Sequence, residues 1–93
     1  MAIALQSRVV RSQEPVAAEV GDTLLMFSVA NGEYYGLNDS ATVIWQHLET
    51  PITVAALCVV LQQLFDVSPE RCEAEVITVL QQLQAKELLH VVP

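Results

Sequence analysis

Basic residues are the scarcest charged class in this chain of 93 residues. Lysine and arginine together number 4 against 11 aspartate and glutamate residues, so the formal net charge is −7 and the isoelectric point lies near 4.4. Such an acidic chain has no basic surface with which to neutralise phosphate groups. We therefore expect no nucleic acid among its partners.

Long apolar runs are also missing. The longest one covers residues 54–61, far short of the ~20 residues that span a bilayer. A signal peptide has a basic segment followed by an apolar core. Residues 1–8 do not have this pattern. We expect a cytoplasmic protein with no membrane partner.

Residues that could carry chemistry are few and scattered. Cys58 and Cys72 each lie in an apolar helical pattern, without a second Cys or a His at metal-ligand spacing. We interpret both as reduced thiols in the core. His47 and His90 are not part of a catalytic pattern, and no glycine-rich phosphate loop occurs. The chain is therefore predicted not to be an enzyme, with no catalytic residues, no metal and no cofactor.

Apolar residues, in contrast, are abundant. They make up 53 % of the chain and give a mean hydropathy of +0.42, whereas charged residues make up only 16 %. This composition excludes disorder, and the length fits a single domain covering residues 1–93. A domain of this size has too little interior for so much apolar surface, which points to a partner.

The first third of the chain has the pattern of strands. Residues 5–12 form a predicted short edge strand, and residues 23–29 form an apolar strand bounded by Gly21-Asp22 and Asn31-Gly32. The Asn-Gly pair predicts a type I′ hairpin turn, with positive φ at both central residues. The returning strand is then Glu33–Leu37, with the sequence EYYGL.

The remainder of the chain has the pattern of three helices followed by a short apolar tail at residues 88–92. The helices are predicted to begin after the capping residues Asn38 or Asp39, Thr53 and Ser68, and to end near Leu48, Phe65 and Lys86. The stripes expected to face the core are Ala41, Ile44, Trp45 and Leu48 in the first helix, Leu57, Cys58, Leu61, Leu64 and Phe65 in the second, and Cys72, Val76, Val79 and Leu83 in the third.

Together these elements predict an α+β fold that resembles a winged helix-turn-helix. It would have a three-stranded antiparallel sheet followed by three helices. Because so small a sheet cannot bury its own face, the helices must pack against it.

An ordered set of motifs resembles the PqqD-like family. The motifs are Gly32-Glu33-Tyr34-Tyr35-Gly36-Leu37-Asn38, Ile44-Trp45 with Leu48, Thr53-Val54 with Leu57, and Asp66-Val67-Ser68-Pro69-Glu70-Arg71-Cys72 with Val76 and residues 80–83. The resemblance covers about residues 20–89. It is nearer to the stand-alone, B1-type recognition proteins of lasso-peptide biosynthesis than to the proteins that serve pyrroloquinoline quinone biosynthesis. One departure is the end of the third helix, where the family often has glycine and this chain has Lys86-Glu87-Leu88-Leu89.

This resemblance implies a recognition element for the leader peptides of ribosomally made, modified peptides (RiPPs). The leader of the precursor peptide would lie as an added strand against the third strand of the sheet, in a groove whose other wall is the third helix. The protein would present the leader to a separate enzyme, a transglutaminase-like leader peptidase in a lasso pathway. The alternative within the family is a PqqD-type chaperone for a radical-SAM peptide-modifying enzyme.

The residues also suggest where such a site would lie. Glu33–Leu37 is predicted to be an edge strand with unpaired N–H and C=O groups, and Gly36 leaves room for another backbone. The third helix has an apolar arc that is widened by Ile77 beyond the core stripe. The predicted leader-binding residues are Glu33, Tyr34, Tyr35, Gly36 and Leu37 on the strand, and Glu73, Val76, Ile77, Leu80 and Gln84 on the helix.

Two other classes of function are open at this point. A winged helix is a common DNA-binding fold, but residues 68–88 carry a net charge of −2, whereas a recognition helix needs Lys or Arg facing the DNA. The apolar excess would also fit a dimerisation or scaffold module without a peptide ligand.

Overall fold

The computed structural model describes residues 3–21 and 23–93, and it contains six strands and three helices in that part of the chain. The elements are β1 (Arg8–Arg11), β2 (Val16–Val20), β3 (Thr23–Ser28), β4 (Glu33–Leu37), α1 (Asp39–His47), β5 (Ile52–Thr53), α2 (Val54–Leu64), α3 (Pro69–Ala85) and β6 (Leu89–Val92). The predicted α+β fold with a three-stranded antiparallel sheet and three helices is confirmed.

The membership of that sheet differs from the prediction. The strand predicted at residues 5–12 is β1, which lies between β5 and β6 in a separate small antiparallel sheet and is not an edge. The third strand beside the β3–β4 hairpin is β2, which the sequence analysis did not predict. All five residues of β2 are exposed, so its sequence has no alternation of buried and exposed positions that would reveal a strand.

The β3–β4 turn is longer than a type I′ turn. Ser28 pairs with Glu33, so the loop spans residues 29–32 and only Gly32 has positive φ, at 65°. Its N–H donates to the Ser28 carbonyl at 2.8 Å. Asn31 instead uses its side-chain Nδ2, which donates to Tyr35 Oη at 3.1 Å and to the Lys86 carbonyl at 2.9 Å. The loop is thereby attached to the end of α3.

The predicted boundary in front of β3 is Gly21-Asp22. Gly21 has a φ of 63°, the left-handed conformation that glycine adopts without a steric penalty. Asp22 lies outside the described residues.

All three helices begin at the predicted capping side chains. Asn38 accepts from the Ala41 N–H, and Thr53 and Ser68 do the same at the starts of α2 and α3. Each cap satisfies a backbone donor that the first helical turn leaves free. The helices end within a residue of the predicted positions, at His47, Leu64 and Ala85.

The core stripes of α1 and α2 agree with the prediction except at Leu64, which is 59 % exposed. In α3 the predicted core positions Cys72, Val76 and Leu83 are buried, and the prediction is wrong at one position. Leu80 is fully buried together with Val76, whereas Val79 is only half-buried. This exchange bears directly on the site, because Val79 was predicted to be core and Leu80 to contact the leader.

Both cysteines are buried and reduced, as predicted. Cys72 Sγ lies 3.6 Å from the Cys58 carbonyl, so the two residues join α2 to α3. Burial raises the pKa of the Cys58 thiol to about 11, and the neighbouring Cys72 and Glu73 add to the rise. Because the thiolate is the reactive form, this cysteine stays inert at neutral pH.

At the end of α3, where the family often has glycine, this chain adopts a glycine-like backbone conformation with another residue. Glu87 occupies the left-handed region with a φ of 60°. The Leu88 N–H donates to the Leu83 carbonyl at 2.9 Å, the 6→1 hydrogen bond of a Schellman motif. A non-glycine residue in this conformation costs about 1–2 kcal/mol because its Cβ crowds the following carbonyl.

We therefore expect Glu87→Gly to stabilise the domain by about 1 kcal/mol, since it relieves this crowding without altering a core contact. Thermal melting should show a rise of several degrees, on the order of 4–8 °C per kcal/mol. Glu87→Ala is the matched control, because it keeps the Cβ and removes only the carboxylate. An equal gain in both variants would show that charge, and not backbone conformation, is responsible.

Candidate functional site

The site is built around β4, which lies at the edge of the sheet. The strand order is β2-β3-β4, and among the described residues no strand pairs with the outer side of β4. An edge strand presents unpaired backbone N–H and C=O groups to any extended chain that approaches it. β4 is thus a template for one more strand.

A groove runs between β4 and α3. Its volume is about 590 Å³, and it is lined by Tyr34, Tyr35, Gly36, Leu37, Asn38, Ala41, Val79, Gln82, Leu83, Lys86 and Leu88. Leu83, Leu88 and Ala41 form a buried floor. Above them, Val79 on one wall and Leu37 on the other are half-buried. This β4–α3 groove therefore offers backbone pairing on one side and apolar contact on the other.

Charge in the β4–α3 groove is confined to one end. Lys86 is the only charged side chain among the lining residues, and its Nζ lies 5.9 Å from the centroid of the Tyr35 ring. Asn31 fixes this arrangement, because it donates to both the Tyr35 hydroxyl and the Lys86 carbonyl. The other end of the groove, at Asn38, is uncharged.

A second depression of about 800 Å³ continues the groove beyond Leu37 and Asn38, which line both. It lies where the amino-terminal ends of α1 and α3 meet, and its apolar residues include Leu61, Phe65 and Val67. A peptide longer than β4 therefore has a continuous path along the protein.

The five predicted residues on β4 are where the sequence analysis placed them. Tyr34, Tyr35, Gly36 and Leu37 line the groove, and Glu33 is exposed at the start of the strand. A Cβ built on Gly36 would meet only Leu25 Cδ2, at 3.8 Å, so glycine is not required for packing within the protein. The proposed role of Gly36 in admitting another backbone stays a prediction.

The five predicted residues on α3 lie elsewhere on the helix. Val76 and Leu80 are fully buried, and Ile77 is half-buried against the core. Glu73 lies towards Cys58 on α2, whose pKa its charge affects. Gln84 lines a different depression, beside β6. Contact between any of them and a peptide stays a prediction.

The sequence analysis missed four groove residues on α3. They are Val79, Gln82, Leu83 and Lys86, which recur at i, i+3, i+4 and i+7 and so share one helical face. That spacing was visible in the sequence. The side of α3 that faces β4 was not, since it depends on how the helix packs.

Ser12, next to β1, and His90, on β6, are a serine–histidine pair in hydrogen-bond contact. Ser12 Oγ lies 3.1 Å from His90 Nε2, but it donates to the Glu87 carbonyl at 2.9 Å and is buried. Its proton is therefore engaged and the hydroxyl is not available as a nucleophile. Within residues 3–21 and 23–93 no group of His, Cys, Asp or Glu side chains could hold a metal ion, and no helix is long and apolar enough to cross a membrane.

Comparison with known sequences identifies the family. The profile of the family described as Coenzyme PQQ synthesis protein D (PqqD) matches residues 23–89. The chain belongs to the PqqD family. The match begins with β3 and ends with the first residue of β6, so it contains the whole β4–α3 groove. No curated protein matches the sequence.

Two solved structures are similar to this PqqD-family chain. TbiB1 in complex with the TbiA(beta) leader peptide has a TM-score of 0.79 and 25 % sequence identity, over 87 % of this chain and 94 % of that one. A lasso peptide synthetase B1 complexed with the leader peptide has a TM-score of 0.76 and 21 % identity, over 91 % and 98 %. The resemblance to the PqqD-like family and to B1 proteins of lasso-peptide biosynthesis is thereby confirmed.

Proposed function

We propose that this PqqD-family chain binds the leader segment of a ribosomally made precursor peptide by strand addition to β4. The observation that carries the proposal is the unpaired edge of β4 beside an apolar groove. Support comes from TbiB1, a protein of the same fold that was solved with a leader peptide. The leader would extend the sheet to β2-β3-β4-leader.

The groove sets what kind of leader fits. Backbone hydrogen bonds to β4 supply affinity with little regard to sequence, and alternate side chains of the added strand point into the groove. Leu83, Leu88 and Val79 favour apolar anchors there. Lys86, near the hairpin end of β4, favours an acidic side chain of the leader at that position, although this protein is otherwise strongly acidic.

Binding alone would leave the chemistry to another protein. The chain would present the leader to a separate processing enzyme, which in a lasso pathway is a transglutaminase-like leader peptidase. A PqqD-type partnership with a radical-SAM peptide-modifying enzyme is the alternative, and the β4–α3 groove serves both equally well. The two partnerships can be distinguished by adding this chain to each enzyme and measuring which enzyme becomes more active on the precursor.

DNA binding receives no support from α3. Arg71, one of the two basic residues in residues 68–88, is paired with Glu75 through Nε and Oε1 at 3.2 Å. Lys86 lies at the far end of the helix, in the groove. A recognition helix would instead need basic side chains free to face phosphates and bases.

The test is titration of fluorescently labelled leader segments from candidate precursor peptides, with anisotropy as the readout. We expect a Kd between about 10 nM and 10 µM, the range that apolar anchors with backbone pairing supply. Hydrogen exchange should show slowed exchange of β4 amides in the complex and no change in β2 amides.

A labelled DNA duplex and a scrambled leader serve as controls, and neither should bind in this range. Saturable leader binding with slowed exchange at β2 and not at β4 would contradict strand addition at the proposed edge. An absence of binding at about 100 µM leader, which means a binding free energy weaker than ~5.5 kcal/mol, would reject the function itself.

A further inference from the structure

Asn31, in the loop between β3 and β4, connects the two walls of the β4–α3 groove at its hairpin end. Its Nδ2 donates to Tyr35 Oη at 3.1 Å on the strand wall and to the Lys86 carbonyl at 2.9 Å on the helix wall. Asn31 is half-buried and does not itself line the groove. It therefore sets the spacing of the two walls without standing in the path of a bound peptide.

The position of Asn31 depends in turn on Ser28, the last residue of β3. The Asn31 N–H donates to Ser28 Oγ at 3.1 Å, and Ser28 is completely buried. A buried hydroxyl must also place its own proton. Ser28 donates it to Oε2 of Glu14 at 3.0 Å, while Oε1 of Glu14 accepts from the Ala30 N–H at 3.0 Å. The Glu14 carboxylate thus holds the loop at two points, and charged acceptors form the stronger hydrogen bonds.

Glu14 reaches this loop from a different part of the fold. It lies in the connection between β1 and β2, the strands that belong to the two separate sheets. It does not line the β4–α3 groove. A chain of hydrogen bonds nevertheless runs from Glu14 through Ser28 and Asn31 to Tyr35 and Lys86, which do line it.

We propose that Glu14 and Asn31 are positioning residues for leader binding, which hold the Lys86 ammonium group where a carboxylate of the leader would meet it. Neither residue would touch the leader. This inference rests on the proposed function, because the position of Lys86 matters only if a peptide occupies the groove.

The benefit comes from ordering Lys86 before the leader arrives. A lysine side chain has several rotatable bonds, and fixing it on binding costs conformational entropy. In the free protein the Lys86 Nζ already lies 5.9 Å from the centroid of the Tyr35 ring, within the range of a cation–π contact. Because Asn31 holds both residues of this contact, a leader carboxylate meets an ammonium group that is already in place.

Charge alone predicts the opposite effect of removing Glu14. Glu14 and an acidic side chain of the leader are both negative, so Glu14→Ala would strengthen binding if only long-range electrostatics mattered. Loss of positioning would weaken it. The sign of the change in affinity therefore distinguishes the two effects.

The test is a double-mutant cycle between Glu14→Ala and Lys86→Met, with the tightest-binding labelled leader segment of the titration above as the probe. We expect Glu14→Ala to weaken binding about tenfold, or ~1.4 kcal/mol, when Lys86 is present. In the Lys86→Met background the same change should weaken binding less than about twofold, since the group that it positions is gone. A general loss of structure would weaken binding equally in both backgrounds.

Glu19→Ala is the matched control, because it removes the same carboxylate from an exposed glutamate of β2. Its leader affinity should match the parent value. Hydrogen exchange without leader checks the loop directly: the Ala30 and Asn31 amides should exchange faster in Glu14→Ala than in the parent, and unchanged in Glu19→Ala.

Thermal melting shows whether Glu14→Ala is folded at the titration temperature. If it is not, Asn31→Ala takes its place in the cycle, with the same expected result. That change removes the side-chain donor to Tyr35 and Lys86 and leaves the hydrogen bond between Ser28 and Glu14 intact.

The outcomes separate the two proposals. A parent chain that binds no leader segment would refute leader recognition, and with it any role of these residues in recognition. A parent that binds, with a Glu14→Ala variant that binds as tightly or loses equal affinity in both Lys86 backgrounds, would refute the positioning role while leader recognition stands.

Discussion

Replacing Val79 with aspartate should weaken leader binding by about 100-fold or more in a domain that remains folded. Val79 lines the β4–α3 groove and is half-buried, so in the free protein the carboxylate can still reach water. A leader strand seated on the groove would cover it. A charge that loses its water without gaining a partner is costly, and that cost appears in the affinity for the peptide.

Ile77→Asp is the control for this prediction, because Ile77 is a half-buried, β-branched residue on the same helix that does not line the groove. We expect its leader affinity to stay within about threefold of the parent value, a free-energy difference of ~0.7 kcal/mol. Thermal melting of both variants shows whether each is folded at the titration temperature. If Ile77→Asp lost leader affinity and Val79→Asp did not, the leader would contact the α3 residues predicted from the sequence and not the β4–α3 groove.

Much of the fold could be predicted because its signals are local. Asn38, Thr53 and Ser68 cap their helices through a hydrogen bond to a residue three positions ahead, a geometry that a short stretch of sequence determines. The periodic stripes of α1 and α2 report burial directly. The edge position of β4 was also predictable, since β4 is a short strand that directly follows a hairpin turn and is itself followed by a helix.

The α3 side of the site depends on how the helices and strands pack. The spacing of apolar residues in the sequence does not show this packing. Adjacent residues of a helix point about 100° apart, so the apolar arc of α3 contains both Val79 and Leu80. Either of them would fit the core. The packing of α3 against α2 and β4 buries Leu80 and leaves Val79 at the groove. No count of apolar positions distinguishes these two arrangements.

The unpredicted strand β2 has a different cause. All of its residues, Val16–Val20, are exposed. Strand patterns in sequence come from alternate burial, and a strand held only by its hydrogen bonds to β3 has none.

Leu80→Ala should lower the free energy of unfolding by about 2–5 kcal/mol without changing the intrinsic affinity for the leader. Leu80 is fully buried among the core residues of α3, so its truncation removes apolar contacts and leaves a cavity. For a domain of this size the loss should lower the melting temperature by about 10 °C or more. The sequence analysis placed Leu80 in the leader site, where truncation would instead weaken binding with little effect on stability.

Leu64→Ala provides the matched comparison, since it makes the same chemical change at a leucine that is 59 % exposed. Its effect on stability should stay within about 0.5 kcal/mol. Urea unfolding measures both stabilities, and leader titration at a temperature where Leu80→Ala is fully folded measures the affinity separately. A stable Leu80→Ala variant with a tenfold or greater loss of affinity, about 1.4 kcal/mol, would mean that a bound leader opens the α3 face and reaches a residue that is closed in the free protein.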